Sequence, residues 1–254
     1  MRTLLCDGLV ITMDAERRVL RADILVEDDR IAAVTPRDAD TPRPRAGMAE
    51  DGTEVVDLCG MTVIPGLIQA HMHVTQALFR GLCDDFALME WLRERTWPME
   101  ASHDSASNAA SARLAAMELI RGGTTSLIDM GTTLHEDAIF EVMAETGLRG
   151  LFGKCMMDMG DDLPAVMRED ADECIRETGR LIRRWHMAQN GRLRCAVAPR
   201  FVPSCSEKLL ASARDLARQN GLRLHTHASE NLGEIALVEA RCRERNVRYL
   251  DRIG

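Results

Sequence analysis

Apolar and polar positions change rhythm once along the chain. Up to residue 58 the apolar runs are short. Leu4-Leu5-Cys6, Leu9-Val10-Ile11, Ile24-Leu25-Val26 and Ile31-Ala32-Ala33-Val34 read as strands, broken at Asp7-Gly8 and at Asp28-Asp29-Arg30. Residues 35–53, rich in Pro, Asp, Arg and Gly, read as an exposed loop, and Val55-Val56-Asp57-Leu58 as one more strand. The pattern predicts a small, composite, sandwich-like β-domain over residues 1–58.

From residue 59 to 254, strand-like runs alternate with helical ones. Strands are expected at 62–71, 124–130, 148–156, 193–200 and 222–228, and helices near 104–121, 136–146, 164–188, 206–219 and 232–246. In the first of these helices Ala106, Ala109, Ala110, Leu114, Met117 and Ile120 share one face, and Gly122-Gly123 is the stop. Phe86 to Pro98, FALMEWLRERTWP, is an extra amphipathic segment. Such repetition implies an α/β fold with a parallel sheet, and a TIM-like (β/α)8 barrel fits it best. A full barrel takes about 250 residues. The residues available make about five β-α units, so a partial barrel is expected, stopping at Arg252-Ile253-Gly254 in mid-barrel.

Two strand ends carry chemistry. Val63 to Gln76, VIPGLIQAHMHVTQ, turns at Pro65-Gly66 and closes on His71-Met72-His73; a second pair, His225-Thr226-His227, is followed by Glu230. Residues two apart on a strand share a face, so two imidazoles of a pair can converge on one ion. A lone His-x-His also occurs on solvated strands, but here four of the seven histidines fall at two strand ends. Three protein ligands and an open position describe a catalytic site, because water in the open position has its pKa lowered toward 7. A carboxylate nearby then carries the proton to the leaving group, and Glu230 is placed for it.

Composition narrows the class. A 254-residue chain with 46% hydrophobic residues buries a sizeable core. The net charge is −8 and the basic residues have acidic neighbours, which leaves no footprint for nucleic acid. No apolar run approaches the roughly 18 residues of a membrane span, and acids enter the N-terminal segment too early for a secretory signal. A cytoplasmic location is expected. The eight cysteines lack C-x-x-C spacing and are expected to be reduced, several of them in the core. There is no H-x-E with P-C-x-x-C, no H-E-x-x-H and no phosphate loop.

PGLIQAHMH followed by HTHASE resembles the amidohydrolase superfamily, specifically its purine aminohydrolases, over residues 55–254. The resemblance implies that His71, His73 and His227 hold one divalent ion, zinc by preference and Fe2+ also suited, that Glu230 is the proton shuttle, and that His225 is not a ligand. Gln76, the run APRFVPSCSE from Ala198 and GKCMMD from Gly153 look like guanine deaminases, in which the residues matching Gln76, Arg200 and Phe201 hold the purine. In related nucleoside deaminases the WL…WP segment covers the pocket, which keeps Trp91 and Glu90 open as second contacts. Full-length relatives add a histidine from the sixth strand and an aspartate ligand from the eighth, and the chain ends before both.

The expected function is a metal-dependent purine deaminase, with guanine favoured and a small-molecule purine or nucleoside as partner. The resemblance also implies a homodimer in the full-length form. A deaminase of 5′-deoxyadenosine, methylthioadenosine or S-adenosylhomocysteine is the nearest alternative; a triazine chlorohydrolase and an inactive half-barrel stand further off. Trp91 and Trp97, at near-helical spacing, are read as packing before substrate contact, and Arg200, without the resemblance, as a surface ion pair. His103 and His186 are expected at the surface, and His135 could face the barrel mouth.

Overall fold

The computed structural model describes residues 1–38, 40–160 and 162–254. Ala39, inside the expected 35–53 loop, lies outside the described residues. The chain divides into two compact units, Met1–Gly66 and Leu67–Gly254.

In the first unit β1 (Arg2–Ile11), β2 (Val19–Glu27) and β3 (Arg30–Pro36) form an antiparallel meander, β4 (Gly47–Met48) pairs with β5 (Glu54–Asp57), and β5 and β6 (Thr62–Val63) lie parallel to β1. Val10, Ala22 and Ile24 form its buried centre. Asp7-Gly8 does not break the first strand as expected. It is a bulge inside one ten-residue strand, with the β1–β2 register shifting between Leu5 and Gly8 and Asp7 at φ 65°. The turn-forming pair is overridden by burial of the Asp7 carboxylate, which pairs with Arg21 and with Arg43 at 2.5 Å.

The second unit is built on a parallel sheet in the order β11-β9-β8-β7, formed by β7 (Leu67–Met72), β8 (Thr124–Asp129), β9 (Arg149–Phe152) and β11 (Leu193–Cys195). β10 (Cys155–Met156) pairs in parallel with β12 (Ala198–Pro199), so the expected third and fourth strands each run in two pieces. The expected fifth strand, 222–228, joins through the isolated parallel bridges Val197↔Leu224 and Phe201↔His227. β7 is the outer strand of its sheet, and its Ile68 is 72% exposed.

The amphipathic segment forms α1 (Leu88–Trp91), a π turn (Leu92–Thr96) and α2 (Trp97–Ala101). Then follow α3 (Ser105–Arg121), α4 (Glu136–Thr146), α5 (Ala171–Trp185), the short irregular α6 (Ala188–Gly191), α7 (Glu207–Asn220), α8 (Leu232–Cys242) and α9 (Asn246–Ile253). The helix expected at 164–188 starts late, because Pro164 leads only a 3-10 turn and Asp170 supplies the N-cap by accepting from Glu173 N at 2.9 Å.

The apolar face expected for α3 is not the buried one. Asn108, Ser111, Ala112, Ala115 and Ala116 are buried, while Met117 and Ile120 are 50% and 48% exposed. Small residues let this helix approach the chain behind β7, where Ser111 Oγ donates to Val74 O at 2.8 Å and Asn108 accepts from Thr75 Oγ1 at 2.6 Å. The main core lies between sheet and helices, with Leu127, Ile139, Phe140, Met143, Phe152, Leu181 and Leu193 at its centre. All eight cysteines are free, and Cys6, Cys155, Cys174, Cys195 and Cys205 are buried. No helix among the described residues is long and apolar enough to cross a membrane.

Close backbone approaches at Gly131, Gly150 and Gly153 are specific to glycine. A Cβ on Gly131, at φ +75°, would lie 1.8 Å from Gly153 O, whereas one on Gly147, at φ +81°, would meet nothing within 4 Å. Gly131→Ala is therefore expected to destabilise by about 3 kcal/mol or more, and Gly147→Ala by only about 1 kcal/mol. Denaturant unfolding of the two variants measures the difference.

Candidate metal and substrate site

Alternation along β7 turns Met72 toward the core and leaves His71 and His73 on the other face. The strand end is pinned from behind. Asp129, at the end of β8, accepts from Val74 N at 2.9 Å and from Gly131 N at 3.1 Å, and Met130 N donates to Met72 O at 3.0 Å. The second pair is anchored on the residues that flank β12: His225 N donates to Val197 O and His227 N to Arg200 O, both at 2.9 Å.

These anchors bring the two pairs together. One ligand atom from each of His71, His73 and His227 lies within 4.8 Å of the others, and Nε2 of His73 is 3.2 Å from Nε2 of His227. The rings of His73 and His227 stack at an interplanar angle of 1°. Nitrogens sharing a tetrahedral ion at 2.0–2.1 Å stand about 3.3–3.4 Å apart, so the separation fits a common cation. His227 Nδ1 lies 2.8 Å from Arg200 O, a contact that places the ring proton on Nδ1 and leaves the Nε2 lone pair free. Burial, with Arg200 adding to it, holds His73 well below the usual imidazole range, and burial brings His225 and His227 down to about 4. Neutral imidazoles are the form that ligates metals. Donor type, spacing and protonation thus suit one divalent ion.

His225 stands beside this group, its Nε2 3.2 Å from His71 Nδ1. His71, His73, His227, Glu230, Arg200, Phe201 and Trp91 line one cavity of about 160 Å³ with Leu88 and Leu92. Glu230 is exposed, and its backbone N–H donates to Glu234 Oε2 at 3.2 Å, which ties the residue to the start of α8. Gln76 is not among the lining residues of this cavity. It borders a neighbouring opening with Met72 and His73, and Glu90 is exposed.

Arg200 is no surface ion pair. It is 3% exposed, and Nη1 donates to Glu100 Oε2 at 3.2 Å; the other oxygen of Glu100 accepts from Gln76 Nε2 at 2.7 Å. Glu100 and Asp129 were missed in the sequence. For Glu100 a signal existed, since Leu88, Leu92, Thr96 and Trp97 mark the buried phase of its segment and Glu100 follows in that phase.

Trp97 is packing, 3% exposed. His103, expected at the surface, is 8% exposed and held between Ser107 Oγ and Thr75 O, each at 2.9 Å. His186 is half-buried, accepting from Cys195 N at 3.2 Å. His135 is exposed at the start of α4. GKCMMD is largely structural: Lys154 is buried against Glu169, and Cys155, Met156 and Met157 are core.

A parallel β-α sheet with a three-histidine centre at its strand ends defines a class of barrel proteins with a metal-binding mouth. The chain belongs to the amidohydrolase family, whose model matches residues 62–254. It is 36% identical over 240 residues to a 5′-deoxyadenosine deaminase of Methanothermobacter thermautotrophicus, covering 93% of this chain and 51% of that protein. It is 31% identical over 257 residues to a 5-methylthioadenosine/S-adenosylhomocysteine deaminase of Bacillus cereus, covering 100% of this chain and 56% of the relative. The chain therefore spans about half the length of these curated relatives. Among solved structures it resembles a guanine deaminase from C. acetobutylicum with bound guanine, at TM-score 0.85 and 25% identity, over 100% of this chain and 60% of that one.

Proposed function

We propose that the chain carries the metal-binding and base-binding part of a hydrolytic purine deaminase, one that replaces a ring C–NH2 by C=O with water consumed and ammonia released. The observation that carries this reading is the convergence of His71, His73 and His227 with Glu230 in the cavity that also holds Arg200 and Phe201. A divalent ion held by the three imidazoles, zinc by preference and iron as the alternative, supplies Lewis acidity that lowers the pKa of a water toward 7.

The chain's own residues do the rest. Glu230 takes one proton of the water and hands it to the ring nitrogen beside the amine-bearing carbon; as the added hydroxyl becomes the carbonyl, its proton passes through Glu230 to the amine, which leaves as ammonia. Phe201 packs against the ring and Trp91 closes its outer side. Arg200 donates to an acceptor on the base, and its fixed geometry makes that contact directional.

The substrate we assign is an adenine nucleoside lacking a 5′-hydroxyl, of which 5′-deoxyadenosine is the type. Two observations favour it over guanine. The relatives with 31–36% identity bear nucleoside names, and beyond Trp91 and Glu230 a further space of about 300 Å³, bordered by Cys83, Phe86 and Asn231, gives room for a ribose. Guanine remains the second reading because a guanidinium pairs well with the O6/N7 edge of guanine. The homodimer and the cytoplasmic location implied by the sequence belong to the same proposal.

Ammonia release from 5′-deoxyadenosine, S-adenosylhomocysteine, adenine and guanine tests it on the zinc-loaded chain. The expected result is kcat/KM highest for 5′-deoxyadenosine and at least about tenfold lower for guanine, the discrimination that one lost or gained polar contact supplies. The reverse order establishes the guanine reading. No binding of any of the four, with one ion bound per chain, overturns the purine reading.

A further inference from the structure

Glu100 links two residues that the sequence assigned separately to the substrate. The carboxylate is 3% exposed and accepts from Gln76 Nε2 at 2.7 Å and Arg200 Nη1 at 3.2 Å, partners that stand 24 and 100 residues away. Arg200 Nη1 also approaches Cys155 Sγ at 3.7 Å. An ionised carboxylate only accepts, so the Gln76 amide is turned with its NH2 group toward Glu100. Arg200 is itself 3% exposed, and removing Glu100 leaves a buried cation without its counter-charge.

We infer that Glu100 is the positioning residue of the base-binding wall: it fixes the Arg200 guanidinium at the cavity, with Gln76 bracing its second oxygen. The inference rests on the purine reading for its consequence and on the structure alone for the clamp. The side chain does not line the cavity and acts through Arg200.

Two readouts on the whole chain test it. The first needs no substrate: modification of Arg200 by phenylglyoxal, followed by mass spectrometry. Glu100→Gln is expected to speed this reaction about tenfold or more, the loss of one hydrogen bond between charged groups, with the other arginines unchanged. Glu100→Asp keeps the charge at shorter reach and falls between wild type and Glu100→Gln, and it serves alone where Glu100→Gln does not fold. The second readout is affinity for 5′-deoxyadenosine, expected to fall about 10- to 100-fold in Glu100→Gln and less than about twofold when the same change is made on Arg200→Ala.

Wild-type Arg200 reactivity in the Glu100 variants overturns the inference. So does an equal affinity loss with and without Arg200. Faster Arg200 modification in a chain that binds no purine supports the clamp and counts against the purine reading.

Discussion

Glu230→Gln is expected to lower deamination by about 10²- to 10⁴-fold, the span supplied by a positioned proton carrier. The substitution keeps the shape of the side chain and removes its capacity to accept a proton. Glu230 lines the cavity with the three histidines but is not one of the group whose ligand atoms converge. Metal uptake is accordingly expected to remain at the wild-type level, and the KM for 5′-deoxyadenosine to change far less than kcat. Steady-state kinetics with metal analysis on the same sample check both. A variant that keeps more than about a tenth of the wild-type kcat contradicts the proton-carrier role.

The second large effect falls on metal affinity. Loss of a residue that merely supports a ligand costs about 10- to 100-fold in metal affinity, so His73→Ala or His227→Ala is expected to cost more than about 100-fold. Both nitrogens in question are held by the fold before any ion arrives. His227 is fixed through Arg200 O at 2.8 Å, and His73 through the β7 end that Asp129 pins at Val74. His225→Ala is the informative comparison, because its Nε2 touches His71 Nδ1 at 3.2 Å without belonging to the three-histidine group. Its loss is expected to stay within the supporting range. Calorimetric titration with zinc separates the cases: equal losses for His225→Ala and His227→Ala would make His225 a ligand.

Much of the fold can be read in the sequence because the period changes where the architecture changes. Alternating short runs and helical runs mark the β-α units, and strong caps such as Asp104 before α3, with its reciprocal Ser107 contacts, set boundaries close to those expected. Position within the fold was harder to read. The buried side of α3 is made of Ser and Ala, because it lies against the chain behind β7, and hydropathy points to the opposite side. Asp7-Gly8 has the composition of a turn, and only three arginines brought to it from elsewhere in the chain, at positions 21, 37 and 43, explain why it is a bulge.

The site divides in the same way. His71 and His73 are visible because a two-residue spacing puts both on one strand face, and His227 with Glu230 because the spacing matches a known pattern. Nothing local says that Arg200 is buried, since its counter-charge lies 100 residues away on α2. Gln76 carries a contact that its motif does not announce: its amide donates to Glu100, and its side chain borders a neighbouring opening that His73 also lines.

The most direct measurement is a zinc titration of the metal-free chain, followed by calorimetry and by metal analysis after gel filtration. The expected result is one ion per chain, bound at micromolar or tighter affinity as three preformed imidazole ligands allow, and lost when His73 or His227 is replaced by Ala. Binding that fails to saturate, or that persists undiminished in both variants, would contradict a metal centre built from His71, His73 and His227.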